Sequence, residues 1–159
     1  MEIRKTKAEE LDRLEEIYAS ARAFMAENGN GGQWGKHHPP RELLEEDIRE
    51  GRSYVCVENG KIVGTFCFYV GEEPTYQEID GAWKREGAYG VIHRVASDRT
   101  TKGVTKACVD WCWAQHPNLR IDTHEKNEPM QRAILKNGFA YCGKITVEDG
   151  TKRQAYQRV

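Results

Sequence analysis

Residues 89–106 read YGVIHRVASDRTTKGVTK, and this stretch decides the fold. Its first half, Tyr89 to Ser97, carries the β-branched residues that are typical of a strand. A short polar turn follows, and beyond Gly103 apolar residues recur at helical spacing. The pattern therefore predicts a strand that passes through a glycine-containing turn into a helix over about residues 103–115.

The residues that follow predict a second strand beside the first. Leu119 to His124 has strand character, and a strand–helix–strand unit usually needs a parallel crossover. Downstream, Asn127 opens another helix that ends at Gly138. Two further strands, at 139–147 and 152–159, form a final hairpin-like pair.

The N-terminal half combines helices with antiparallel strands. Asn59-Gly60 is a strong hairpin signal between two runs rich in aromatic and β-branched residues. Upstream, apolar residues at helical spacing predict two helices. The predicted elements are a strand at 2–5, helices over about 8–27 and from behind Pro39-Pro40 to Gly51, strands at 53–58 and 61–70, and an irregular connection at 72–88.

These elements predict a single domain over residues 1–159, because no repeat, linker or low-complexity tract divides the chain. The expected fold class is α/β (α+β mixed). We expect a mixed, mostly antiparallel twisted sheet of about seven strands with four helices on both faces.

The composition excludes several classes of protein. The 24 basic residues nearly cancel the 25 acidic ones, so we predict no nucleic-acid partner, which usually requires a basic excess. The N-terminal sequence has no apolar leader, and no stretch approaches a membrane span, so we expect a cytoplasmic protein without a membrane partner. The five cysteines lie in apolar-patterned segments, which favours buried thiols over a disulfide framework.

The start of the helix at about residue 103 is a candidate phosphate site. A helix start offers unpaired amides and the positive end of a dipole, and Lys102 and Lys106 add charge. By itself this feature identifies nothing, since every helix begins somewhere. No metal is predicted either, because Cys108 and Cys112 have no partners at the spacing of a structural zinc site.

Three segments together resemble the GCN5-related N-acetyltransferase (GNAT) superfamily. They are the strand–turn–helix at 91–115, the stretch IDTHEKNEPM at 121–130, and Lys136-Asn137-Gly138-Phe139. The element order also matches, so the resemblance covers essentially the whole chain. It implies an acetyl-CoA-dependent N-acetyltransferase that moves an acetyl group to a primary amine of a small molecule or peptide, by direct attack in a ternary complex.

The resemblance also implies where acetyl-CoA lies. The fourth and fifth predicted strands, at 89–97 and 119–124, would part in a V, and the pantetheine arm would insert between them. Val95 and Ser97 would supply backbone contacts, and an amide there would polarise the thioester carbonyl. The diphosphate would lie on the amides of Thr101, Lys102, Gly103, Val104 and Thr105, and Asn127 would contact the pantetheine or diphosphate arm.

The chain departs from the family pattern in the phosphate loop, where Thr100 replaces Gln or Arg and the turn after Ser97 is about two residues short, and at two further positions. Thr105 stands where the phosphate loop usually has Gly or Ala, and Ile134 stands where a tyrosine usually protonates the departing thiolate. The alternatives for that acid are Ser97, Tyr141, water, or departure of the thiolate unaided.

Candidates for the general base lie near the strand ends: His93, Asp122, His124 and Glu125. His93 is expected to alternate in phase with Val95 and Ser97. For each candidate the alternative is a buried structural hydrogen bond.

Candidate acceptor-binding residues lie in two connections. The connection between the first two helices contains Trp34, His37 and His38. The long aromatic connection further along the chain contains Trp83, with Tyr76 and Tyr89. Packing against the core is the alternative for the aromatic residues.

Two other functions stay open at this stage. The first is a non-catalytic acyl-CoA-binding or sensor domain, which Ile134 and the altered phosphate loop favour. The second is a small protein-interaction module that uses the aromatic segments. The identity of the acceptor is open, and either a monomer or a homodimer is compatible with the sequence.

Overall fold

The computed structural model describes residues 1–32, 34–35 and 37–159. In chain order the elements are β1 (Glu2–Lys5), α1 (Leu11–Glu27), α2 (Arg41–Arg49), β2 (Ser53–Glu58), β3 (Lys61–Val70), β4 (Asp80–Gly81), β5 (Gly90–Ser97), α3 (Val104–Gln115), β6 (Leu119–His124), α4 (Glu128–Lys136), β7 (Ala140–Thr146) and β8 (Lys152–Arg158). Short 3-10 turns at Ala8–Glu10 and Pro74–Tyr76 precede α1 and β4.

The strands form one mixed sheet, which confirms the predicted fold class. Its order is β1-β2-β3-β5-β6-β8-β7-β4, and within the described chain only β5 and β6 pair in parallel. The sheet has eight strands where about seven were expected. The additional strand, β4, lies in the connection predicted to be irregular.

A glycine pair explains why β4 escapes sequence patterns. Gly81 of β4 lies opposite Gly143 of β7, and a Cβ on either one would collide with the backbone of the other strand. The two backbones can therefore pair closely only without side chains. In addition, a strand of two residues is too short to show the alternation of apolar and polar residues by which strands are predicted.

The sheet separates two main apolar clusters. On one face α3 and α4 pack through Cys108, Cys112 and Ile134 onto Ile92 and Ile121. Another cluster joins α1 and α2 to the sheet and holds these buried side chains: Leu14, Ile17, Leu44, Val55 and Ala96. All five cysteines are buried free thiols, as their apolar surroundings predicted.

The two parallel strands part soon after they begin to pair. Their register covers only Gly90 with Leu119, Val91 with Arg120 and Ile92 with Ile121. Beyond that point β5 continues along β3, and β6 continues along β8. A gap therefore opens between residues 93–97 and 122–124, where the family resemblance predicted one.

None of the helices in the described ranges is both long enough and apolar enough to cross a bilayer.

Candidate active site

The gap between β5 and β6 opens into a cleft of about 1000 Å³. Its walls come from both strand ends, from α1, α2 and the start of α4, and from the connections after β3 and β7. The cleft brings together these residues that the sequence singled out: Trp34, His38, His93, Val95, Ser97, Thr105, Asp122 and Asn127.

The other predicted site residues lie elsewhere in the described structure. The indole of Trp83 donates to the Tyr76 carbonyl and stacks on Arg120, outside the cleft. His37 lines a separate cavity of about 160 Å³. His124 is buried, and its Nδ1 accepts from the Lys126 amide.

The turn residues predicted to hold the diphosphate lie beyond the cleft lining, except for Thr105. Lys102 and Gly103 are exposed. The side chain of Val104, the first residue of α3, is buried in the apolar cluster between α3 and the sheet. Only the backbone of Val104 is therefore available to a ligand.

A β-bulge shapes the floor of the cleft. The register between β3 and β5 shifts between Thr65 and Cys67, and Arg94 on β5 has a left-handed φ of 53°. The extra residue breaks the expected alternation of side chains. Val95 packs on the cluster under α3, whereas the His93 ring lies near Tyr76. The expectation that His93 and Val95 point the same way is therefore wrong.

A buried ion pair holds the bulge. The Arg94 guanidinium donates to both oxygens of the Asp47 carboxylate, from Nε to Oδ2 at 3.0 Å and from Nη2 to Oδ1 at 2.9 Å and Oδ2 at 2.7 Å, and Asp47 projects from α2. Tyr18 of α1 donates its hydroxyl to the Arg94 carbonyl at 2.8 Å. Left-handed backbone at a non-glycine residue is costly, so three elements cooperate to keep it.

His93 forms a hydrogen-bonded pair with Glu73. Nε2 of His93 lies 3.0 Å from Oε1 of Glu73, and both side chains are less than a fifth exposed. Burial alone would raise the pKa of the Glu73 carboxyl, but the bond to His93 and the charges of His93 and Arg94 lower it, and the net pKa falls below its ordinary value. The Tyr89 hydroxyl accepts from the Glu73 amide and fixes this segment.

The Asp122 carboxylate is hydrogen-bonded on the side of the sheet where His93 lies. The Tyr76 hydroxyl donates to Oδ2 of Asp122 at 2.6 Å, and Nη1 of Arg153 lies 3.9 Å from Oδ1. Burial and the Asp122 charge raise the pKa of Tyr76 well above its usual value, so the phenol stays protonated and acts as the donor. His93 and Asp122 are the first residues after the last β5–β6 pair, and the Tyr76 ring lies beside both.

The turn into α3 is braced by side chains. Asp98 accepts from the amide and hydroxyl of Thr100 and forms a 2.7 Å ion pair with Arg13. Ser97 also braces the turn, since its hydroxyl accepts from the Arg99 amide. Gly103 caps the helix with a φ of 82° and no side-chain bond, which leaves the first amides of α3 without partners inside the helix.

Asn127 caps α4 at the edge of the cleft. Its Oδ1 accepts from the Met130 amide at 3.2 Å. This is the ordinary role of asparagine at a helix start, and it places the residue against the cleft.

Sequence reasoning missed most partners of the central residues. Glu73, Asp47, Arg94 and Arg153 all line the cleft. One signal was present: Asp47 lies on the apolar stripe of α2, three residues after Leu44, where a lone carboxylate needs a buried partner. No group of three or more His, Cys, Asp or Glu residues among those described is placed to hold a metal ion.

Comparisons with known proteins agree with this architecture. Residues 11–139 match the profile described as the acetyltransferase (GNAT) family. A GNAT-family acetyltransferase from Streptococcus agalactiae 2603 is 31% identical, with a TM-score of 0.91 over 99% of this chain and 94% of that one. A structure from Staphylococcus aureus Mu50 is 28% identical, with a TM-score of 0.70 over 99% and 98% of the two chains.

More distant structures share the fold. The structure of yncA from Salmonella typhimurium with its cofactor acetyl-CoA has a TM-score of 0.63 at 14% identity, over 98% of this chain and 91% of that one. No curated protein sequence matches significantly. The profile match and the Streptococcus relative show that this chain belongs to the acetyltransferase (GNAT) family.

Proposed function

We propose that this protein is an acetyl-CoA-dependent N-acetyltransferase that acetylates a primary amine of a small molecule or peptide. The observation that carries the proposal is the parting of β5 and β6 at His93 and Asp122, beside a cleft that holds an imidazole–carboxylate pair. Family membership supports acetyl transfer. The acceptor class and direct attack in a ternary complex are part of the proposal.

The chain's own residues fit acetyl-CoA. The amide of Gly90 donates toward β6, whereas that of Asp98 donates toward β3. Peptide groups point alternately to the two sides of a strand, and the bulge at Arg94 adds one residue to β5. The backbone amides of Val95 and Ser97 are therefore expected to face the gap. The amides of pantetheine can pair with them as a short strand would. The unpaired amides at the start of α3 suit the diphosphate, in the manner of other helix N-termini.

His93 is the proposed base. A neutral imidazole accepts one proton from the acceptor ammonium, and the Glu73 carboxylate stabilises the imidazolium that forms. The free amine then forms its C–N bond to the acetyl carbonyl carbon, and the Val95 amide stabilises the negative charge on the oxygen. The nitrogen loses its second proton to solvent as the C–S bond breaks with its electron pair moving to sulfur, which leaves a neutral amide and the CoA thiolate. Acetyl-CoA supplies the activated acetyl group for this transfer.

Asp122 is proposed to orient the acceptor ammonium. Its carboxylate lies on the His93 side of the sheet and is already held by Tyr76. Trp34 and His38 line the same cleft and are proposed to contact the acceptor. A cytoplasmic location and a monomeric or homodimeric state remain predictions.

A sensor function is the second candidate, because one expected catalytic group is absent. Ile134 occupies the position of the family's usual tyrosine, and its side chain is 1% exposed within the core under α4. Such a protein would bind acetyl-CoA without turning it over.

Two measurements separate these functions. Calorimetric titration with acetyl-CoA should show binding, and release of CoA thiol should then increase with at least one member of a panel of primary amines. The His93→Ala variant should bind acetyl-CoA but release CoA more slowly. Binding without release by the wild type would favour the sensor, and the absence of binding would reject both functions.

A further inference from the structure

Thr123 carries a buried hydroxyl that no group in the described structure satisfies. Its side chain is 1% exposed, and Oγ1 has no hydrogen-bond partner. A hydroxyl without a partner is unfavourable in the interior, and an isosteric valine would avoid this penalty. The hydroxyl therefore calls for an explanation beyond stability.

The position of Thr123 relates this hydroxyl to the gap. Thr123 follows Asp122 on the unpaired part of β6 and lines the cleft. By strand alternation it shares a face with Ile121, which packs under α3 and α4. That face is opposite the one on which His93 and Tyr76 lie.

Register places Thr123 across the gap from Val95. The last paired residues are Ile92 and Ile121, so two further positions along β6 lead to Thr123. Along β5, two positions plus the extra residue of the bulge lead to Val95. A thioester that lies in the gap with its carbonyl oxygen at the Val95 amide can therefore present its sulfur to the Thr123 side.

We propose that Thr123 donates a hydrogen bond to the thioester sulfur and to the thiolate that forms when the C–S bond breaks. This inference rests on the proposed function. The hydroxyl keeps its proton, since an aliphatic alcohol holds its proton more tightly than a thiol. The electron pair of the C–S bond stays on sulfur, and the thiolate takes its proton from solvent after CoA leaves.

The arrangement separates the two halves of the reaction across the sheet. The amine approaches from the face of His93 and Asp122, and the thiolate departs toward the face of Thr123. Oγ1 is closed to water in this structure. The sulfur of an arm inserted between the strands therefore contacts it only by displacing the side chains that cover it. The Thr123 hydroxyl, which has no hydrogen-bond partner in the described structure, is thus proposed to donate to the sulfur atom.

The test compares binding of CoA with that of desulfo-CoA, which lacks the sulfur, by calorimetry at pH 8. A hydrogen bond to a charged or polarised sulfur predicts that the wild type binds CoA about ten-fold more tightly. The Thr123→Val variant should lose this preference, and Thr123→Ser should retain it. The melting temperature of unliganded Thr123→Val should equal or exceed that of the wild type.

Thr6 provides the matched control. It is also buried, but its hydroxyl pairs with Ser53 at 2.7 Å, and it does not line the cleft. Thr6→Val should lower the melting temperature and leave the preference for CoA unchanged.

Each outcome bears on one proposal. Equal binding of CoA and desulfo-CoA by the wild type would overturn the role of Thr123 while leaving acetyl-CoA binding intact. A preference that persists in Thr123→Val would overturn it as well. Failure of the wild type to bind either ligand would instead reject the proposed function. The wild-type comparison stands even where a variant fails to fold.

Discussion

Tyr76 donates its hydroxyl to Asp122 over 2.6 Å, although the two residues lie 46 positions apart in the chain. Tyr76 ends the short turn after β3, and Asp122 lies at the mouth of the gap on β6. The bond ties the connection after β3 to the point where the parallel strands part. It also holds a carboxylate on the proposed acceptor side, where the Tyr76 ring lies near His93.

Tyr76→Phe should affect both stability and turnover. The ring keeps its packing, but the buried Asp122 carboxylate loses a donor, so we expect a loss of about 1.5–3 kcal/mol in the free energy of unfolding. Turnover should fall more than affinity for acetyl-CoA, since Asp122 is proposed to orient the amine. Urea denaturation and steady-state kinetics measure these effects.

Tyr156→Phe is the control for that variant. Its hydroxyl donates to Gln154, away from the cleft lining, so turnover should be retained. Equal loss of turnover in both variants would contradict a specific role for the Tyr76–Asp122 bond.

The pair of His93 and Glu73 predicts a pH effect on stability. The pKa of Glu73 is lower in the folded protein than in the unfolded chain, so its contribution is present above the unfolded pKa and is lost as pH falls through the folded one. We therefore expect the wild type to have a larger free energy of unfolding than Glu73→Gln near neutral pH, and this difference to disappear between about pH 5 and pH 3. Denaturation of both proteins across that range measures it, and a constant difference would contradict the shift.

Much of the fold follows from local patterns, but the site depends on distant contacts. Helical and strand periods predicted the four helices and the long strands because each buries one regular face. The bulge at Arg94 could not be read this way, because its left-handed backbone depends on Asp47 and Tyr18 from other elements. The parting of the strands came from the family resemblance, since no residue spacing encodes it.

The partners of the predicted catalytic residues show the same division. His93 and Asp122 were identified because they lie at strand ends. Glu73 was missed, because its pairing with His93 depends on how the connection after β3 folds back over the sheet. A single sequence contains no local signal for such a contact.

The ion pair between Asp47 and Arg94 should be essential for stability. Asp47→Asn leaves a buried guanidinium without its carboxylate, which typically costs about 3–5 kcal/mol. The exposed pair of Arg41 and Asp12 is the control, and Asp12→Asn should produce no measurable change. Urea denaturation compares the two variants, and a small effect of Asp47→Asn would show that the bulge holds without this pair.

Gly103→Val should weaken binding of acetyl-CoA if the diphosphate lies on the start of α3. Gly103 has a φ of 82°, which a β-branched residue adopts only with strain of about 1–2 kcal/mol. A Cβ there meets no protein atom within 4 Å, so the side chain would extend into the space proposed for the diphosphate. Calorimetric titration with acetyl-CoA measures the expected loss of affinity, of about ten-fold or more.

Gly60→Val separates strain from crowding. Gly60 has a φ of 77° and equally open surroundings, but it lies in the hairpin between β2 and β3. Both variants should lose similar stability, because both force the same left-handed backbone. Only Gly103→Val should lose affinity for acetyl-CoA. If the two variants bind equally well, the diphosphate lies away from Gly103, and the turn before α3 serves only to redirect the chain.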